Sequence, residues 1–226
     1  MKATAAGEVL DIPVGIARAD VLHFLGYPEG RRPPQQIESM LEASLDDARA
    51  RAAGRGCFVV VDPADAPRVG LETMDATALV LGLVTVGGAI EARASELLRA
   101  GEATRALLVD AAGSAAAEEA ADRLGALIAG DETARVDSPE ADRRAPTVSC
   151  RISPGYGAWP LTAQPRLFSR LPAREVGVVL QPSLLMVPRK SVSFAMWLGA
   201  DARPVAGLSG CAHCHLEHCR YRRREA

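Results

Sequence analysis

Thr77-Ala-Leu-Val-Leu-Gly-Leu-Val-Thr-Val86 runs through Gly87-Gly88 into Ala89-Ile-Glu-Ala-Arg-Ala-Ser-Glu-Leu-Leu-Arg-Ala100. The first run is apolar throughout and rich in β-branched side chains. With no polar alternation, it predicts a strand covered on both faces. The second run predicts a helix over 89–100, stopped by Gly101. Working outward, Cys57-Phe-Val-Val-Val61 is a second apolar run and predicts another buried strand. Between Pro34 and Gly54, residues Ile37, Met40, Leu41, Leu45 and Ala48 fall at helical spacing, with Glu38, Glu42, Asp46 and Arg49 on the other side. That pattern predicts an amphipathic helix over 35–53. A strand over 8–16 and a short helix over 20–25 precede it.

Downstream, 102–129 is a long Ala-rich helical stretch. Leu107, Leu108, Ala111, Ala115, Glu118, Ala121, Asp122 and Gly125 lie along one of its sides. Residues 130–146 are polar, lack an apolar period, and predict a loop. Strands are expected over 147–152, 176–180 and 191–198, with a short helix over 164–171 and a loop over 181–190. Helices and strands do not strictly alternate, so the fold class is α+β. A single domain over 1–208 with a separate Cys/His-rich tail over 209–226 is the expected organisation.

The chain has 226 residues, and a domain of that size folds without disulfide staples. Its 26 Lys and Arg against 28 Asp and Glu leave no basic excess to grip a phosphate backbone, which argues against nucleic acid. The longest apolar run, 77–90, is too short for a bilayer span. Residues 1–13 lack the basic flank and apolar core of a signal peptide. The expectation is a cytoplasmic protein with no membrane partner.

Three stretches could carry chemistry. In Arg151-Ile-Ser-Pro-Gly-Tyr-Gly-Ala-Trp-Pro-Leu161, Gly155 lets a ligand approach the main chain. Arg151 can pair with a carboxylate in bidentate fashion, and Tyr156 offers a flat face and a hydroxyl. The plainer reading is a hairpin turn with an aromatic packed beneath it. In Gln181-Pro-Ser-Leu-Leu-Met-Val-Pro-Arg-Lys-Ser-Val-Ser-Phe194, either the loop closes one wall of a site with Lys190 or Ser191 facing a ligand, or it is a surface loop with two solvated cations. Glu118, on the Ala-rich helix, is either the edge of a solvated face or a buried acid with a partner.

Near the C-terminus stands Cys211-Ala-His-Cys214-His-Leu-Glu-His-Cys219-Arg-Tyr. Three thiols in so short a span, with His213, His215 and His218 between them, point to a metal site. Cys211, Cys214 and Cys219 with one histidine make a Cys₃His zinc site, or the ligands of an iron–sulfur cluster. The alternative is an unstructured reducing tail.

The chain resembles the activation, or reactivation, domain of cobalamin-dependent methionine synthase, and most closely its free-standing relatives. The resemblance rests on Arg151-x-Ser-Pro-Gly-Tyr-Gly-x-Trp-Pro-Leu161 and Met186-x-Pro-Arg-Lys-Ser-Val-Ser193, supported by Asp110-Ala-Ala-Gly-Ser-Ala-Ala-Ala-Glu118, Thr85-x-Gly87 and Leu22-x-x-Leu-Gly-Tyr27. It implies an α+β fold with a bent, mainly antiparallel sheet and a shallow groove for S-adenosylmethionine. That ligand's methyl group goes to a cobalamin on another module, and an electron from a donor such as flavodoxin or ferredoxin completes the reductive methylation of cob(II)alamin. By the same resemblance, Arg151 holds the methionine carboxylate and Ser153 and Gly155 contact the ligand through their main chain. Tyr156 lines the groove near the sulfonium, and Glu118 matches an acid on the ligand-facing helix. Asp-x-His-x-x-Gly, the cobalamin motif, does not occur in the sequence, so the cobalamin is expected on a partner: a methionine synthase module or another corrinoid protein. Such a role in methionine biosynthesis is of the methyltransferase type. Two further readings are a non-catalytic module that docks on a corrinoid protein, and a zinc or iron–sulfur protein with a structural or regulatory role.

Overall fold

The structure is a computed structural model, and it describes residues 7–27, 30–136, 148–149 and 151–199. In chain order it contains β1 (Glu8–Asp11), α1 (Arg18–Phe24), α2 (Gln35–Arg49), β2 (Arg55–Val61) and a 3₁₀ helix (Pro63–Val69). Next come β3 (Ala78–Thr85), α3 (Ala89–Arg99) and the long α4 (Ala103–Val136). After a 3₁₀ turn (Leu161–Ala163) follow α5 (Gln164–Phe168), α6 (Ala173–Val176), β4 (Val179–Leu180), β5 (Met186–Val187) and β6 (Ser191–Leu198). The fold is α+β, as the sequence predicts.

Four strands form one antiparallel sheet in the order β1-β2-β3-β6. β3 is central and fully buried, which explains its uninterrupted apolar run. Its even residues, Ala78, Val80 and Val84, join Phe194, Met196 and Leu198 of β6 under the four helices α1 to α4. Its odd residues, Leu79, Leu81 and Leu83, join Cys57, Ala195 and Trp197 against Trp159, Leu167, Val176 and Val178. The sheet therefore separates two apolar cores. Gly82 is the one break in the β3 run, and it has a packing reason. A Cβ there would stand 2.4 Å from Phe194 Cζ, so the missing side chain is the space the ring fills. Burying that ring contributes about 1.5–3 kcal/mol.

The alanines of α4 serve close approach. Ala112, Ala116, Ala120 and Ala121 are fully buried against the sheet and its neighbouring helices. Asp47 of α2 ties these helices together: it pairs with Arg51, with Arg93 of α3 at 2.9 Å and with Arg105 of α4 at 3.8 Å.

Several boundaries differ from expectation. The helix foreseen over 102–129 continues to Val136, into the stretch expected as loop. The strand foreseen over 176–180 begins instead as α6, with Pro172 before it and Gly177 at φ +92° after it. Only Val179 and Leu180 pair, with Val187 and Met186, so the loop expected over 181–190 contains a strand. Among the described residues of the strand foreseen over 147–152, Val148 and Ile152 make isolated bridges, to Leu198 and Ala195.

Candidate functional site

β6 is an edge strand, and what covers its outer edge decides where a groove can lie. Ile152 and Ala195 exchange both backbone hydrogen bonds, at 2.9 and 2.8 Å. The Ser149 N–H donates to the Trp197 carbonyl, and the Trp197 N–H donates to Ser149 Oγ. Val148, Ser149 and Ile152 thus cover the second half of β6. Among the described residues, no strand covers the first half, 191–194. The Ala-rich helix α4 lies over the same edge: a Cβ on Gly113 would touch the Lys190 side chain, and one on Gly125 would lie 3.5 Å from Arg151 Cδ and 3.9 Å from Met196 Sδ. A seam therefore runs between α4 and β6, with Arg151 at one end and Lys190 at the other.

Arg151 sits in this seam with its side chain only 17% exposed. Its Nη2 donates to Asp122 Oδ1 at 2.6 Å and to Glu118 Oε2 at 3.1 Å, and Nε donates to the same Asp122 oxygen at 3.2 Å. Its Cζ lies 5.5 Å from the centre of the Phe194 ring, a cation–π distance. Burial works against the charge, but the charges of Glu118 and Asp122 and their hydrogen bonds outweigh it, so the guanidinium pKa stands above its ordinary value. Glu118 falls between the two alternatives: it has a partner in Arg151, but 39% of its side chain is exposed.

Beyond Arg151 the chain makes the predicted Pro-Gly turn. The Tyr156 N–H donates to the Ser153 carbonyl at 3.1 Å, and the Gly155 N–H to the Trp159 carbonyl at 2.8 Å. Gly155 adopts φ +95°, a conformation a side chain resists. The Gly155 N–H is therefore engaged within the turn, whereas the Ser153 carbonyl keeps a second lone pair. The aromatic packed beneath is Trp159, whose Nε1–H donates to the Val69 carbonyl. Tyr156, by contrast, is 56% exposed.

The loop before β6 divides the two expected cations. Arg189 is exposed and pairs with Glu91, as a surface loop predicts. Lys190 is buried, with Nζ 2.9 Å from Asp110 Oδ1 and donating to Ser114 Oγ at 2.9 Å. Ser191 faces the opposite side of the sheet, and its hydroxyl meets Thr85 Oγ1 and the Pro188 carbonyl. Asp110, Ser114, Glu118 and Asp122 are spaced four apart, so they form one stripe along α4. Sequence reasoning placed Glu118 and Asp122 on one side of the helix but left out Asp110 and Ser114, for which the four-residue spacing is the missed signal.

Cys57 is buried, and desolvation, helped by the charge of Glu175, pushes its thiol up to about 12. Such a thiol is inert. Cys211, Cys214 and Cys219, with their histidines, lie outside the described residues. Among the described residues no group of three His, Cys, Asp or Glu side chains is placed to hold a metal ion. No described helix is long and apolar enough to cross a membrane.

By sequence, the chain matches no family model and no curated protein. By fold it is similar to a crystal structure of the MetH reactivation domain bound to AdoHcy. The TM-score is 0.53 and the identity 15%, over 88% of this chain and 80% of that one. The likeness is one of fold. It agrees with the α+β architecture and antiparallel sheet that the sequence resemblance implies.

Proposed function

We propose that this chain binds S-adenosylmethionine in the seam between α4 and β6. There it supports reductive methylation of a cob(II)alamin cofactor on a partner, a methionine synthase module or another corrinoid protein. The observation that carries the reading is Arg151, a guanidinium mostly out of water that two carboxylates of one helix stripe hold in the seam. An amino-acid ligand fits this arrangement by exchange. Its carboxylate takes the guanidinium face now held by Asp122, and Glu118 turns to its ammonium. The net charge also fits. Asp110, Glu118 and Asp122 oppose Lys190 and Arg151, leaving one negative charge if all five are ionised. S-adenosylmethionine carries an ammonium, a carboxylate and a sulfonium, hence one positive charge.

The exposed ring of Tyr156 offers its face to the sulfonium, and the free lone pair of the Ser153 carbonyl is open to the ligand. The chemistry is departure of a methyl group from sulfur to a nucleophile that the partner's corrinoid supplies. It requires position and electrostatics, and no general base. The similar fold that holds AdoHcy, the demethylated form of this ligand, supports the reading. For the tail over 209–226, apart from the body over 1–208, the cysteine spacing alone supports zinc or an iron–sulfur cluster on Cys211, Cys214 and Cys219, which metal and sulfide analysis of the anaerobically prepared chain checks.

The test is transfer of labelled methyl from S-adenosylmethionine to a corrinoid partner under a one-electron reductant such as flavodoxin or ferredoxin. Transfer that requires the chain and falls with Arg151→Ala is expected. A chain that neither binds S-adenosylmethionine nor promotes transfer, alone or with partners, overturns the reading.

A further inference from the structure

Two glycines on different elements make room for one contact. Gly82 of β3 leaves the space that the Phe194 ring fills: a Cβ there would fall against Cζ, Cε1 and Cε2. Gly125 of α4 leaves the space along which the Arg151 stem runs, 3.5 Å from Cδ and 3.8 Å from Cγ. Where the two side chains meet, the Arg151 guanidinium lies over the Phe194 ring, with Cζ 5.5 Å from the ring centre. A glycine inside a strand weakens it. A leucine at position 194 with an alanine at position 82 would pack the sheet without that cost, so the ring calls for an explanation.

The partners of Arg151 are of two kinds. Glu118 and Asp122 accept its N–H donors, and their side chains are 39% and 59% exposed. Carboxylates so exposed turn into water at little cost. They are also the groups that a ligand carboxylate displaces on binding. Phe194 is fully buried. It meets the guanidinium through the face of its ring, so it competes for none of the N–H donors, which lie in the guanidinium plane. When the two acids let go, the ring contact stays. An arginine side chain held in one geometry loses much rotamer freedom, and a support that persists through the exchange spares the ligand that cost.

We infer that Phe194 is a positioning residue of this groove: its ring keeps the Arg151 guanidinium in place while the N–H donors pass from Asp122 and Glu118 to the carboxylate of the ligand. The hold is electrostatic, the negative face of the ring against a cation, so it follows the electron density of the ring and not its size alone. The inference rests on the reading of the groove as an S-adenosylmethionine site and goes beyond it by naming what holds the anchor during exchange.

Fluorination tests this, because fluorine withdraws electron density from the ring with little change of shape. The full chain is prepared with 2-fluoro- or 2,6-difluorophenylalanine at position 194, substituted only at Cδ and so away from the atoms that face Gly82. By calorimetry, affinity for S-adenosylmethionine should fall stepwise, about twofold for each fluorine. Decarboxylated S-adenosylmethionine keeps the ammonium, sulfonium and nucleoside but gives Arg151 no carboxylate, and its affinity should not follow the series. If the fluorinated chains do not fold, Phe194→Leu takes their place, with a loss for S-adenosylmethionine that the decarboxylated ligand does not share. Unchanged affinity for S-adenosylmethionine, or a fall shared equally by both ligands, overturns this inference; the groove reading then stands if Arg151→Ala still weakens S-adenosylmethionine. No binding by the wild-type chain overturns the groove reading, and this inference with it.

Discussion

Gly82 and Phe194 show how a single position shapes the sheet that carries the site. A methyl group at 82 meets the ring within 2.4 Å, and the ring is boxed between β3 and α4, beneath Arg151. Gly82→Ala should cost about 1–3 kcal/mol in chemical denaturation, with partial recovery when Phe194→Leu is added. Cys57 makes a second prediction at this scale. Its thiol titrates at about 12 in the folded chain against 9.0 in its unperturbed state. The folded state therefore keeps a proton that the unfolded chain releases. The group's contribution is fully present below about pH 9 and is lost as pH rises toward 12, by up to about 1.4 kcal/mol per pH unit. Denaturation midpoints at pH 8 and pH 10.5 should diverge more for the wild type than for Cys57→Ala, and native Cys57 should resist alkylation at pH 8. Equal pH slopes in the two proteins would contradict the assignment.

At the scale of elements, Asp47 of α2 gathers the guanidinium groups of Arg51, just past that helix, of Arg93 on α3 and of Arg105 on α4, with only 12% of its side chain exposed. Asp47→Ala leaves those cations facing one another, so a melting temperature lower by several degrees is expected. Because α4 carries the acidic stripe, weaker binding of the groove ligand should accompany that loss. How much of this was legible in the sequence varies by element. The run at 77–86 declared β3, because a strand covered on both faces needs no alternation. The amphipathic spacing at 35–53 declared α2, four residues too long. The chain at 176–180 misled: the β-branched valines suggest a strand, but Pro172 and Gly177 frame a helical turn, and both signals were present. The polar, aperiodic texture of 130–146 suggested a loop, yet α4 continues to Val136 through Gly130, a residue that costs a helix only about 1 kcal/mol. The pairings of the site were not legible. Arg151 stands 33 residues from Glu118 and 29 from Asp122, and only the packing of α4 along the β6 edge brings them together.

Across the described residues the molecule is a sheet between two cores, and the proposed binding seam lies where a long helix runs beside the half-covered edge strand β6. That placement leaves the sheet's main-chain bonding intact and gathers side-chain charges of both signs along one edge. On the proposed reading, the acidic stripe of α4 and the two cations it holds suit a small amino acid with one net positive charge, its carboxylate at Arg151. The measurement that tests this most directly is calorimetric titration of S-adenosylmethionine into the anaerobically purified full chain, beside Arg151→Ala. The account predicts saturable one-to-one binding by the wild type and a loss of about 2–5 kcal/mol, thirtyfold or more in affinity, in the variant. Equal affinity in the two proteins would place the ligand elsewhere, and no binding by the wild type, with or without a corrinoid partner, would contradict the account.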